Sequence, residues 1–355
     1  MITTGQKIAI EKIGRSRLPD HDLDSVKFGR VFSDHMFVME YGGGQWGQPK
    51  IVPFADLRMS PATLVLHYSQ TIFEGLKAYR SQDGAVHIFR PDMNVKRMNR
   101  SAERMCMPAI PQDVFMDALM ELVRVDRDWI PGGAEGALYI RPFMFASDEF
   151  IGVRTSENYK FMIFTCPVRG YYTEAVRVKI ETHYSRAFPG GTGEAKCGGN
   201  YAASLYPAKM AHDQGYHQLV WTDGLEHKYI EESGTMNVFF RIGDALLTPE
   251  TGGTILHGIT RDSIVQLARS EGIDMQVRKV TVDEVVAAIR NGTMREAFGA
   301  GTAATIAHIK SIAFDGVDHE LPPVDQRSYS KRIGGMLDDI RRGRAIDKFN
   351  WLVEV

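Results

Sequence analysis

Residues 186–201 read RAFPGGTGEAKCGGNY, a run in which glycines at 190, 191, 193, 198 and 199 surround a single lysine, Lys196. Glycine at that density belongs where backbone must pass close to something other than a side chain. A lysine held there serves either as a cation for an anionic ligand or as an amine for covalent chemistry. A nucleotide phosphate loop needs glycine directly before the lysine and Ser or Thr directly after it, whereas here the neighbours are Ala195 and Cys197. What remains is Schiff-base chemistry, which requires a desolvated amine. A solvated loop lysine is the ordinary alternative, and it stands unless other residues converge on Lys196.

The 355 residues are 44% hydrophobic, enough for a large core and for two domains. A net charge of −2 gives no electrostatic reason to expect nucleic acid or an anionic membrane, so a small molecule is the expected partner. Cys106, Cys166 and Cys197 are odd in number and widely spaced, which forms neither a disulfide framework nor a metal-ligand set and suits a reducing cytoplasm. No apolar run is long enough to cross a bilayer. No metal site is expected.

Working outward, Val31–Tyr41 and Lys50–Phe54 flank Gly42-Gly43-Gly44 as a hairpin, and Leu76–Tyr79 faces Ala85–Phe89 across Asp83-Gly84. Strands in succession suggest an α+β unit. From Pro91 the pattern becomes helical, with Met98, Ala102 and Met105 on one stripe beside a basic row of Arg97, Arg100 and Arg104; a second helix begins with Asp113 as its cap. Alternation in Ala137–Pro142 places Tyr139 and Arg141 on one face, where they form either a carboxylate receptor or a sheet-surface pair. The strand Tyr159–Pro167 precedes a linker near residues 168–175, which separates a smaller domain, 1–170, from a larger one, 171–355, that carries Lys196.

In the second half, a helix runs from Asn200 to Gln214, which Pro207 should kink or divide. Gln218–Thr222 and Glu226–Ile230 pair across Asp223-Gly224. Of the adjacent acids Glu231 and Glu232, at most one faces inward, and the ordinary expectation is that both face water. His257-Gly258-Ile259-Thr260 leads into a helix whose N-terminus is suited to an anion. Thr281 with Glu284 makes a capping box, and Gln326–Arg342 is a further helix. Phe298–Ala304 superficially matches a dinucleotide fingerprint, but Thr305–Phe314 after it reads as strand rather than helix.

Together these pieces supply a Schiff-base lysine, an acid, a phenol, and an arginine with a helix N-terminus, the parts of a pyridoxal phosphate site. The chain resembles the branched-chain amino acid aminotransferases of the fold type IV pyridoxal phosphate family from about Phe28 to Ser328. The resemblance is carried by LHYSQTIFEGLKAYR, IFRPDMNVKRMNRSAERM, LYIRPF, RAFPGGTGEAKCGGNY, EESGTMNVF, LHGITRDSI and FGAGTAA. It implies a two-domain α+β, mixed α/β fold with the cofactor at the domain interface, and a homodimer.

The resemblance also implies roles. Lys196 would form the Schiff base and shuttle the proton, Tyr201 would meet the ring hydroxyl, and Glu232, three residues before Thr235, would hold the ring nitrogen protonated. Arg97, the backbone of Gly258, Ile259 and Thr260, and the Thr302 hydroxyl would bind phosphate, with Arg186 nearby. Thr302, Ala303 and Tyr139 would receive the substrate carboxylate; Phe73, Tyr68 and Tyr171 would wall the branched side chain; and Arg141 would take the γ-carboxylate of glutamate. The implied reaction moves the amino group between L-leucine, L-isoleucine or L-valine and 2-oxoglutarate.

Some animal members carry Cys-X-X-Cys after the GTA turn. Here Ala304, Thr305, Ile306 and Ala307 stand, so thiol regulation is not implied. A D-amino acid aminotransferase or an aminodeoxychorismate lyase would keep the lysine and glutamate; the Tyr139–Arg141 and Phe73–Gly75 stretches favour the branched-chain reading. A nucleotide-dependent dehydrogenase resting on Gly299–Ala304, and a non-catalytic pyridoxal phosphate carrier, are the readings from other classes.

Overall fold

The computed structural model describes residues 7–170 and 174–355. The chain divides into two compact units, one made of the described residues of Met1–Tyr171 with Ala195–Gly199 and Ile340–Val355, the other of those of Tyr172–Glu194 and Asn200–Asp339. The residues 195–199 and 340–355 thus group with the first unit, whereas the sequence alone assigned them to 171–355.

The first unit is built on a ten-stranded sheet whose main path runs Ala9–Ile10, Lys50–Pro53, His35–Gly42, Tyr159–Val168, Ala137–Ala146, Leu76–Arg80, Val86–Phe89 and Leu352–Glu354. Its longest ladder is antiparallel, from Ala137 opposite Val168 to Ala146 opposite Tyr159. The hairpin expected at Gly42–Gly44 forms between His35–Gly42 and the short strand Gln45–Trp46, and Lys50–Pro53 pairs the same strand from its other end. The helices Pro91–Arg104 and Gln112–Val125 bury their apolar stripes in this unit's core, Met98, Ala102, Phe115, Leu119 and Leu122 joining Phe37, Ile72, Ile140 and Phe161. Asp113 does not cap the second helix. Pro111 occupies the N-cap without a side-chain hydrogen bond, and Asp113 lies in the first turn, where its charge still complements the helix dipole.

The second unit contains a nine-stranded sheet in which six strands close on themselves. Val176–Ile180, Gln218–Thr222, Ile230–Ser233, Met236–Ile242, Met294–Gly301 and Thr305–Phe314 pair in turn, and the last pairs the first in parallel. Closure removes the unpaired edges a flat sheet would expose. One layer of core gathers Val178, Val220, Val238, Phe240 and Ile309 against Val282, Val285 and Val286 of the helix Val282–Arg290. On the opposite face of the strand Met236–Ile242, Phe239 stacks on Phe298 at 5.0 Å between ring centroids.

Local signals account for most of these boundaries. Thr281 caps its helix by accepting from Glu284 N at 3.0 Å. The Pro207 region is divided into Gly198–Ala203 and Leu205–Asp213, with Gly215 in the left-handed region after the stop. The hairpin at Asp223 is longer than expected: Ile230–Ser233, not Glu226–Ile230, pairs Gln218–Thr222. Asp223 makes the longer loop possible, since its carboxylate accepts from the N–H groups of Leu225, Glu226, Lys228 and Tyr229.

The helix Tyr329–Arg341 is anchored by an acid on a distant strand. Glu296, 1% exposed, accepts from the N–H groups of Ser328, Tyr329 and Ser330, from Ser330 Oγ, and from Arg241 Nη1. Burial by itself would raise this carboxyl's pKa, but the hydrogen bonds from Ser330, Tyr329 and Arg241 outweigh it and the net shift is downward. The ionised group therefore adds stability that is fully present above the unfolded value, about 4.3, and is lost as pH falls through the lower folded value. Glu296→Gln is expected to destabilise by about 2–4 kcal/mol at pH 7. The gap from wild type should shrink at acid pH in urea denaturation; a gap independent of pH would show that the ionic form contributes nothing.

Candidate functional site

Lys196 is fixed through its backbone. Its N–H donates to Ser101 Oγ at 2.9 Å, its carbonyl accepts from Phe73 N at 3.0 Å, and Cys197 bridges Ile72 in antiparallel fashion. The glycines beside it permit this approach: a Cβ at Gly198 would come within 2.8 Å of the Thr71 side chain. Half-buried, Lys196 places Nζ 4.5 Å from the Phe73 ring centroid.

The same ring carries a second cation. The Arg141 guanidinium lies 4.8 Å from the Phe73 centroid, and its Nη2 donates to Tyr139 Oη at 2.8 Å. Tyr139 and Arg141 thus share a face as their alternation required, and Phe28 packs edge-on against Tyr139 at 5.0 Å. Gly75 keeps this space open, because a Cβ there would sit 2.2 Å from Tyr139 Oη. Arg141 Nε is buried with no hydrogen-bond acceptor among the described residues.

Arg97 is buried on the helix Pro91–Arg104, where its Nε and Nη2 grip both oxygens of Glu74 at 2.7 and 2.8 Å. Asn94 adds a third donor to Glu74 at 2.7 Å. That arrangement satisfies the acid and fixes one edge of the guanidinium. Tyr68 is not brought to this cluster: it ends the short helix Val65–Tyr68, is exposed, and its ring contact is with His67. Tyr171 lies outside the described residues.

In the second unit, Arg186, Tyr201, Glu232 and Thr235 line one small cavity together with Asn200 and Met236. Both Glu231 and Glu232 are buried, against the ordinary expectation that they face water. Glu232 Oε1 accepts from Leu256 N at 2.6 Å, and Oε2 lies 3.1 Å from Arg186 Nε. That nitrogen is not aligned for a hydrogen bond, so the contact is ionic. Arg186 Nη2 donates to the carbonyls of Gly193 and Thr254. The arginine expected near phosphate is therefore the partner of the acid.

The helix Ile259–Ser270 starts at Gly258 without a side-chain cap. A Cβ at Gly258 would come 1.8 Å from Asn237 Oδ1, so the glycine is required for Asn237 to sit there. Ile259 and Thr260 are buried in the first turn. Thr302 and Ala303, both half-buried, follow the strand Met294–Gly301 in a turn.

Asn237, Glu74, Ser101 and Phe28 were not singled out from the sequence. Asn237 was within reach: Gly234, at φ 59°, and Thr235 form a two-residue turn, which places Asn237 opposite Glu232. Its Nδ2 donates to Leu256 O at 3.0 Å and reaches Glu232 at 3.4 Å.

The family model of amino-transferase class IV matches residues 71–312. The chain belongs to the class IV aminotransferases. It is 42% identical to branched-chain-amino-acid aminotransferase 2 of Bacillus subtilis over 99% of this chain and 98% of that one. Among solved structures, it is similar to the branched-chain aminotransferase of the archaeon Thermoproteus uzoniensis with norvaline, with TM-score 0.75 and 25% identity, covering 90% of this chain and 99% of that one. It is likewise similar to the branched-chain amino acid aminotransferase from Escherichia coli, with TM-score 0.71 and 26% identity, over 90% and 98% of the two chains. The mixed α/β fold of this aminotransferase is thus the fold type IV that its sequence motifs implied.

Removing Glu74 strips a 6%-exposed arginine of its bidentate carboxylate. In this aminotransferase Glu74→Ala is expected to cost about 3–5 kcal/mol in chemical denaturation. A loss below about 1 kcal/mol would mean that the pair is not what holds Arg97.

Proposed function

We infer that the chain is a branched-chain amino acid aminotransferase, exchanging the amino group of L-leucine, L-isoleucine or L-valine with 2-oxoglutarate and using pyridoxal 5'-phosphate. The observation that carries the reading is the Phe73 ring, which has the Lys196 amine at 4.5 Å and the Arg141 guanidinium at 4.8 Å. One aromatic wall suits a branched hydrocarbon, and the cation beside it suits the γ-carboxylate of glutamate, so one pocket can serve both half-reactions.

The residues present fit the cofactor. Arg186 and Glu232 form a buried ion pair, and the Gly258 helix start presents backbone donors in place of a side-chain cap. Arg141 keeps a buried N–H that no acceptor among the described residues satisfies. When bound, the cofactor supplies an aldehyde that accepts the amino group and a ring that withdraws electrons from the substrate α-carbon.

Lys196 then acts as the amine nucleophile and moves the proton at the substrate α-carbon. Its backbone bonds to Ser101 and Phe73 restrict where Nζ can reach. Glu232, which faces the Arg186 guanidinium and the Leu256 N–H, would hold the ring nitrogen protonated. Tyr201, on the same cavity wall, would meet the ring hydroxyl. Arg97, the N–H groups of Gly258, Ile259 and Thr260, and Thr302 would hold the phosphate, while Thr302, Ala303 and Tyr139 would orient the substrate α-carboxylate. We further propose a homodimer working in the cytoplasm, a compartment suited to three unpaired cysteines.

Adding L-leucine alone to the cofactor-loaded protein should convert its visible band to that of the amine form of the cofactor, and 2-oxoglutarate should reverse the change. A D-alanine turnover exceeding that with L-leucine would overturn the substrate class. Lys196→Ala should lower kcat by at least about 10²–10⁴-fold. Arg141→Leu should raise KM for 2-oxoglutarate by about 10–100-fold while leaving that for L-leucine within a few-fold, since only the oxo acid loses a charge-assisted bond.

A further inference from the structure

The strand Met236–Ile242 sets Asn237 directly opposite Glu232 in the antiparallel ladder, and both side chains are buried. Facing residues of a ladder project to one side of the sheet, so the amide and the acid meet. Asn237 Nδ2 donates to Leu256 O at 3.0 Å and reaches Glu232 Oε1 at 3.4 Å, while Leu256 N donates to that same oxygen at 2.6 Å. Two acceptors face Nδ2, which fixes the orientation of the amide and leaves Oδ1 on the side of Gly258.

Gly258 has φ −69° and ψ 126°, extended backbone that any residue adopts, so the constraint on it is steric. A Cβ there would lie 1.8 Å from Oδ1 and 3.0 Å from Cγ of Asn237. The amide is thus wedged between the acid and the residue that precedes the helix Ile259–Ser270. Its donor end ties down Leu256 and its acceptor end abuts Gly258, so the segment entering the helix is held at both ends against the strand partner of Glu232. Pairing one buried carbonyl would not require a side chain pressed onto the helix start.

We propose that Asn237 is a positioning residue for the cofactor, one amide that sets the spacing between the acid for the ring nitrogen and the backbone donors for the phosphate. This rests on the roles proposed for Glu232 and for the N–H groups of Gly258, Ile259 and Thr260. The ring and phosphate of the cofactor are covalently joined, so protein groups that shifted independently would hold one end at the expense of the other. Referring both sets of groups to one side chain keeps them in register.

Pyridoxamine 5'-phosphate binds without bonding covalently to Lys196, so its affinity for the full chain stripped of cofactor reports contacts alone. Pyridoxamine lacks the phosphate, and the ratio of the two Kd values measures what the phosphate donors contribute. In Asn237→Ala this ratio is expected to fall at least about tenfold, because the helix start is no longer held in place. The nitrogen-15 signal of the ring in labelled pyridoxamine 5'-phosphate should move toward its unprotonated position in the same variant. Gly258→Ala keeps the N–H but presses on the amide from the other side, and it should move both readouts even if Asn237→Ala fails to fold. Where both fold, the double variant should bind within about threefold of the weaker single one, since one contact is broken twice. A loss equal to the product of the single losses, an unchanged ratio with both ligands weakened alike, or movement of only one readout in Asn237→Ala would overturn the proposal. Glu232→Gln should move the nitrogen signal and leave the ratio within a few-fold. If it leaves that signal in place, the reading of the acid falls and takes the proposal with it; if it behaves as expected while Asn237→Ala moves neither readout, the proposal alone fails.

Discussion

The buried ion pair of Arg186 and Glu232 is the contact around which the small cavity of the second unit is arranged. A carboxylate with 5% side-chain exposure needs compensation, and here it receives a guanidinium on one oxygen and the Leu256 N–H on the other. The arginine is placed in turn by the carbonyls of Gly193 and Thr254. Closure of the six-strand ring is what makes this possible. The strand Ile230–Ser233 is paired on both sides, by Gln218–Thr222 and by Met236–Ile242, so Glu232 cannot rotate toward water without breaking a ladder. The tight turn at Gly234-Thr235 then brings Asn237 opposite the acid.

A comparable logic holds Lys196 in the first unit. A flexible four-carbon side chain gives little precision, so precision has to come from the main chain. The short segment around the lysine is hydrogen-bonded at N–H to Ser101 and at C=O to Phe73, and its neighbour Cys197 bridges Ile72. Ser101 belongs to the helix that carries Arg97, and its hydroxyl also donates to the Arg97 carbonyl at 2.9 Å. The amine and the Arg97–Glu74 pair are therefore referred to one helix, Pro91–Arg104. A loop lysine thus becomes a positioned amine through its backbone contacts, with its Nζ set beside the Phe73 ring.

Much of this was legible in the sequence because the signals are local. The alternation of Tyr139 and Arg141, the cap at Thr281, the stop at Gly215 and the strand character of Thr305–Phe314 depend only on neighbours in the chain. The motifs around Lys196 and Glu232 gave the family, and Glu232 is the acid that meets the arginine. What was not legible depends on contacts between distant residues. Arg97 has an acid 23 positions away, and the burial of both Glu231 and Glu232 follows from ring closure across more than a hundred residues. The longer loop at Asp223 was missed for a subtler reason: an Asp-Gly pair signals a two-residue turn, but this aspartate uses its side chain to gather four N–H groups and supports a wider one.

Glu231 and Glu232 show how far environment outweighs residue type. They are consecutive, of one chemistry and both buried, but strand geometry sends their side chains to opposite faces. Glu232 meets a guanidinium and a backbone donor. Glu231 meets one hydroxyl, so the penalty of burial dominates its titration. Thr254 joins the two sides, giving its hydroxyl proton to Glu231 while its carbonyl accepts from the arginine that holds Glu232. Two adjacent glutamates of one chemistry therefore differ in what meets them, a guanidinium and a backbone N–H for Glu232 against a single hydroxyl for Glu231.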